Sequence, residues 1–155
     1  MWAWGSNWFG QLGDGSTVDS ILPVPISSLS HVVAVAASDS HSMAVQSDGS
    51  LWAWGANTVG QLGNGTTNDH YAPVAINRYH SMFGIISMAG GYEHSVAVNA
   101  NGVVFAWGGN ATGQVGDGTT LARRTPVEAR AQSRTKHIDA GGMHSLRTDS
   151  GWIST

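Results

Sequence analysis

The chain has 155 residues, 41% of them hydrophobic and 11% charged, with a formal net charge of −3. This excludes a disordered composition and offers no basic patch for nucleic acid. Without cysteine there are neither disulfides nor thiolate metal sites, and no apolar run reaches the ~18 residues of a membrane helix.

The start, Met1-Trp2-Ala3-Trp4-Gly5, has neither a basic region nor an apolar signal core, so the default location is the cytosol and no membrane partner is expected. Glycine is abundant at 21 residues against four prolines, which suits many tight turns between short strands.

The chain repeats itself. Trp2-Ala3-Trp4-Gly5-Ser6-Asn7 returns as Trp52-Ala53-Trp54-Gly55-Ala56-Asn57 and then as Phe105-Ala106-Trp107-Gly108-Gly109-Asn110. Behind it comes Gly10-Gln11-Leu12-Gly13-Asp14-Gly15, then Gly60-Gln61-Leu62-Gly63-Asn64-Gly65, then Gly113-Gln114-Val115-Gly116-Asp117-Gly118. Pro23-Val24, Pro73-Val74 and Pro126-Val127 follow in register, as do His41-Ser42, His94-Ser95 and His144-Ser145.

Each unit of about fifty residues reads as four strands. In chain order these are Val32 to Ala37, His41 to Val45, Leu51 to Trp54 and an outer strand around Pro73-Val74-Ala75-Ile76. Proline belongs on an edge strand, which places the fourth strand outermost. No window keeps a 3.6-residue apolar period, so helix is not expected. The fold predicted is all-β, a β-propeller of four-stranded blades. The second unit carries an insertion, Asn77 to Phe83, and the third shortens after His144.

The Trp-Ala-Trp-Gly-x-Asn, Gly-Gln-Leu-Gly-Asp/Asn-Gly and Ala-x-x-x-His-Ser motifs resemble the regulator of chromosome condensation repeat family over nearly the whole chain. That resemblance implies a propeller, usually seven-bladed and much longer. The best-known member is a nucleotide exchange factor for a nuclear GTPase that docks on chromatin, and nothing in these residues carries that activity over. A plant relative senses ultraviolet-B light through tryptophans in a Gly-Trp-Arg-His-Thr motif. The single Gly-Trp here, Gly151-Trp152, continues Ile-Ser-Thr and disfavours that activity.

The repeat starts at the third strand of one blade and stops at the second of another, giving half a blade, two full blades and another half across residues 1–155. Three blade-equivalents fall short of the four to eight that close a propeller, and an open arc exposes two edges. The expectation is a homodimer closing one six-bladed ring by strand exchange, with strands around Trp2 and Val24 completing a blade with the other copy's strands around Ile138 and His144. The rival is a piece of a longer propeller.

Candidate chemistry centres on histidine. His41, His94 and His144 occupy one repeat position, with Asp39, Glu93 and Asp139 near them. Imidazoles around a ring axis are the ligand set for a divalent transition metal such as zinc, which could activate water for ester or phosphoester hydrolysis. The structural alternative is a buried histidine bonded to its neighbouring strand. His137 and Asp139 replace Ala34 and Ala36 of the first unit and share a strand face. They mark either a site near the channel or the dimer seam.

The Gly-Asp-Gly-Thr segments lack the alternating oxygen ligands of a calcium loop and read as turns. The alternating tryptophans read as core, or as a sugar-stacking surface if several are exposed. Asn64-Gly65-Thr66 and Asn110-Ala111-Thr112 match the glycosylation pattern, without a secretion signal behind them. No nucleophile motif is present, and adjacent His-Ser pairs point to opposite strand faces. The leading function is therefore a binding scaffold presenting loops to a protein or small-molecule ligand; a metal-dependent hydrolase is the alternative.

Overall fold

A computed structural model describes residues 1–76, 82–130 and 134–149. The inserted segment falls mostly outside them, as does Gly151-Trp152. The described residues form twelve strands and no helix: β1 (Trp2–Gly5), β2 (Ser20–Pro25), β3 (Val32–Ala37), β4 (His41–Gln46), β5 (Leu51–Gly55), β6 (His70–Ala75), β7 (Ile85–Gly90), β8 (His94–Asn99), β9 (Val104–Gly108), β10 (Arg123–Glu128), β11 (Thr135–Ala140) and β12 (Ser145–Asp149).

They pair antiparallel into two four-stranded sheets, β3-β4-β5-β6 and β7-β8-β9-β10, flanked by the two-stranded β1-β2 and β11-β12. The two four-stranded sheets are propeller blades. The outer strands carry the repeat prolines Pro73 and Pro126, where a missing N–H leaves no inner ladder bond unmade. β12 begins one residue later than β4 and β8, at Ser145 and not at the repeat histidine.

Blade interfaces bury the core. Met43, Leu51, Leu62, Ile85, Phe105 and Trp107 form the largest cluster, between the two full blades. Smaller clusters form on either side, Leu29, Ala44 and Trp54 toward β1-β2, and Val96, Ala106 and Val115 toward Ile138 and Ala140 of β11. The first strands of successive blades pack in series, β3 on β7 and β7 on β11.

The four strands alternate direction, so each blade sends two connections to one face. These are the tight turn before the repeat histidine and the long glycine-rich loop. They are held together at Ala56 N–Ser40 O (2.9 Å) and Gly109 N–Glu93 O (2.7 Å). This loop face holds every part of the candidate site.

Candidate functional site

The long loop is wound around one asparagine. Asn57 Oδ1 accepts the Leu62 backbone N–H at 3.0 Å. Its amide donates to Asn64 Oδ1 (3.2 Å) and to the carbonyls of Thr66 and Asn68, both at 3.0 Å. Asn7 and Asn110 repeat the pattern with Asp14 and Asp117. The Asp/Asn between the glycines is thus occupied inside its own loop. Asp14 Oδ1 also takes the Ser16 N–H (2.9 Å), and Asp117 pairs with Arg123 at 2.5 Å. The segments are turns, as read from the sequence. Nothing singled out the motif asparagine beforehand except its place in the repeat.

The loop in turn grips the next blade. The Gln61 carbonyl accepts from Trp107 Nε1 (2.8 Å) and from Ser95 Oγ (2.7 Å), both one blade further on. The Gln11 carbonyl likewise accepts from Trp54 Nε1 and Ser42 Oγ, each at 2.8 Å. Gly63 and Gly13 allow this approach, since a Cβ there would sit 2.7 and 2.6 Å from the indole nitrogen of Trp107 and Trp54. Backbone bonds clamp the outer strands as well, Gly15 N to Tyr71 O at 2.8 Å and Gly65 N to Arg124 O at 2.9 Å.

The repeat histidines complete this lock. His41 Nε2 lies 2.7 Å from Ser95 Oγ of the following blade, and His94 Nε2 lies 2.9 Å from Ser145 Oγ. Ser95 spends its one hydroxyl proton on the Gln61 carbonyl, so the imidazole is the donor and His41 carries its proton on Nε2. Its Nδ1 faces Ser38 Oγ at 2.6 Å. His41 and His94 are both wholly buried. Burial, and secondarily the neighbouring His94, lower the His41 pKa to about 3; burial and His144 push His94 in the same direction. Both rings are neutral donors at pH 7.

Gly91 and Gly141 stand where Ser38 does in the first full blade, so His94 Nδ1 has no hydroxyl opposite it and is a buried nitrogen without a hydrogen-bond partner. A Cβ at Gly91 would meet the Gly141 carbonyl at 2.6 Å, so no serine fits there without movement.

The repeat histidines were expected either as metal ligands or as buried residues bonded to the neighbouring strand. His41 and His94 lie between blades and face serines. His144 is exposed, as are the neighbouring Asp39 and Asp139, while Glu93 is half-buried. Among the described residues, no group of three or more His, Asp or Glu side chains is placed to hold a metal ion. The His41–Ser95 contact has the length of a catalytic pair. Yet Ser95 is buried and its proton is committed to a carbonyl, which leaves no nucleophile for a substrate. Sequence reasoning missed this contact because it links positions 54 residues apart, whereas the visible His-Ser pairs are adjacent.

His137 and Asp139 lie on β11 in the register of Ala34 and Ala36 on β3. Those alanines pack into the core toward the next blade, so the pair occupies the face of β11 that turns toward a following blade. Of the tryptophans, Trp54 and Trp107 are core at 2% and 0% exposure, while Trp2, Trp4 and Trp8 are largely exposed. Trp2 and Trp4 lie on the open β1 edge and Trp8 on the loop face, so they form no single stacking platform.

The regulator of chromosome condensation (RCC1) repeat model matches residues 1–45, 48–98 and 101–146. The chain belongs to the RCC1 repeat family. It is 34% identical over 160 residues to the ultraviolet-B receptor UVR8 of Arabidopsis thaliana, covering 99% of this chain and 36% of that protein. It is 31% identical over 150 residues to the E3 ubiquitin-protein ligase HERC2 of Homo sapiens, covering 94% of this chain and 3% of the relative. The crystal structure of Prp20p from Saccharomyces cerevisiae superposes with a TM-score of 0.79 at 24% identity, over 94% of this chain and 38% of that one. The chain thus spans well under half the length of these relatives, and the likeness to Prp20p establishes the propeller fold. Within RCC1 terms, the His–Ser–Gln–Trp lock is the device that joins one repeat to the next.

Proposed function

We propose that this RCC1-repeat chain is a protein-binding scaffold whose working surface is the loop face, on a ring completed by a second copy of the chain. The observation that carries the reading is an asymmetry. The polar groups of the repeat are consumed internally by the asparagine cage and the blade lock, while the side chains that vary between repeats stand exposed and apolar on one face. Trp8 and Phe9 hold the turn positions filled by Thr58-Val59 and Ala111-Thr112 in the other units, and Trp8 is 78% exposed. Tyr92, Leu121 and Met143 are exposed on the same side. Large exposed aromatics are the side chains that anchor protein interfaces. The structure of Prp20p is described with its binding to Gsp1p and histones, which supports a protein partner for a chain of this fold.

The test is crosslinking in native extract, identification of the crosslinked protein, and titration of that purified protein against wild type and Trp8→Ala. The reading expects at least a tenfold loss of affinity with an unchanged melting temperature, the signature of an exposed anchor. Affinity insensitive to Trp8→Ala, Tyr92→Ala and Met143→Ala alike would overturn it.

A further inference from the structure

The third repeat shows what the aspartate of the glycine-rich loop holds. Asp117 takes the Asn110 amide and the Thr119 N–H on Oδ1, and its Oδ2 accepts from Arg123 Nε at 2.6 Å. Asp14 repeats the first part of that arrangement, with the Asn7 amide and the Ser16 N–H both on Oδ1. At the repeat position of Arg123 stands Ser20, whose hydroxyl donates to Leu22 O at 2.6 Å instead. Asp14 is exposed, so the oxygen that Asp117 gives to a guanidinium is open to a cation from outside the chain.

The surroundings suit a cation as well. Residues 1–77 contain neither lysine nor arginine, so none of these side chains repels an incoming positive charge. Gly15, next to Asp14, donates its N–H to Tyr71 O at 2.8 Å. A side chain at Gly10 would collide with the Tyr71 ring, so that ring lies against Gly10 beside Phe9. Trp8, Phe9 and Tyr71 are all exposed. Asp69, two residues before Tyr71, adds a second carboxylate. At the next blade interface the same three positions hold Thr58, Val59 and Arg124, so a cation stands there where Tyr71 offers an aromatic face. Thr58 is exposed although its own blade and the following one are both four-stranded, so exposure belongs to the position.

We infer that this patch takes an arginine side chain from a basic segment of a partner protein. The guanidinium pairs with Asp14 Oδ2 as Arg123 pairs with Asp117, in a charge-assisted hydrogen bond. The neighbouring faces of Trp8, Phe9 and Tyr71 attract the same group and other cationic side chains of the segment. Nucleic acid and acidic peptides carry the wrong charge for it. The inference rests on the preceding reading of the loop face as a protein-binding surface and names the chemistry of what that face binds.

The experiment is fluorescence anisotropy of a labelled short peptide alternating arginine and serine, at low salt, with wild type and variants. Wild type should bind it saturably and should not bind the same peptide with glutamate in place of arginine. Ser20→Arg supplies the guanidinium from within, as the third repeat does, and should weaken the peptide about tenfold while the chain stays folded. Asp14→Asn installs the residue that the second repeat carries there, Asn64, so it should keep the loop and weaken binding to a similar degree. Trp8→Thr with Phe9→Val grafts the second repeat's pair and should weaken binding about fivefold or more. Asp48→Asn removes the same charge from the β4–β5 turn, on the opposite face, and should bind as wild type does. No saturable binding at about 1 mM peptide would overturn the proposal. So would a folded Ser20→Arg that binds like wild type, or an equal loss in Asp48→Asn and Asp14→Asn. A purified loop-face partner that loses affinity with Trp8→Ala but not with Asp14→Asn would leave the loop-face reading standing and remove this one.

Discussion

Replacing Ser95 with alanine removes one oxygen from the centre of the blade lock. The hydroxyl accepts from His41 Nε2–H at 2.7 Å and donates to Gln61 O at 2.7 Å. Without it, Gln61 O still holds the Trp107 indole at 2.8 Å, so the carbonyl remains satisfied. The imidazole N–H does not, and it sits in a wholly buried position. Stranding one buried donor and losing one hydrogen bond costs about 2 kcal/mol, or roughly 4–8 °C in melting temperature for a chain of this size.

Urea unfolding should show that loss as a lower midpoint with an unchanged slope. The cycle with His41→Leu sharpens the test. Once the imidazole is gone, no donor is stranded by Ser95→Ala, so the double variant should be more stable than additivity predicts by about 1 kcal/mol or more. A cost below about 0.5 kcal/mol for Ser95→Ala, or simple additivity in the cycle, would refute the lock as described.

Acid should weaken the fold through the same residue. His41 has its ordinary pKa near 6.5 when unfolded and about 3 when folded, so the unfolded chain takes up the extra proton as pH falls from 6.5 toward 3. Its share of the stability loss between pH 7 and pH 5 is about 2 kcal/mol, His94 adds to it in the same direction, and chemical denaturation across that range in wild type and His41→Leu should show the slope flattened in the variant. Gly63→Ala should cost about 3 kcal/mol or more, since it adds a 2.7 Å clash with Trp107 to a left-handed backbone, while Gly15→Ala, at φ +87° with nothing within 4 Å, should cost only the ~1–2 kcal/mol of backbone strain. Asn57→Asp should destabilise more than Asn57→Ala, because it turns a carboxylate oxygen toward the carbonyls of Thr66 and Asn68; hydrogen exchange over residues 58–68 should read the loosened loop in both.

The propeller was legible in the sequence because each repeat spells its own blade. Strand-length apolar runs, a Gly-rich loop and an edge proline recur in register, and β3, β4 and β5 fall within a residue of where the pattern puts them. The contacts that join blades were not legible. They bring together positions about fifty residues apart, and a sequence shows periodicity without showing which copy reaches which. The repeat histidine reads from its periodicity as a structural residue bonded to the backbone of a neighbouring strand before it reads as a metal ligand, and only the blade interface shows that its partner is a serine hydroxyl one blade away. His137 and Asp139 show the same limit. Their divergence from alanine was visible, but that they share the face turned toward a following blade required the register of β11 with β12.

The most direct measurement is ¹⁵N–¹H correlation of the histidine rings at pH 5. A neutral His41, protonated on Nε2 and slow to exchange, is the predicted result, because the ring is buried as a donor to Ser95. A His41 that titrates near 6.5, or that carries its proton on Nδ1, would contradict the blade lock from which the rest is built.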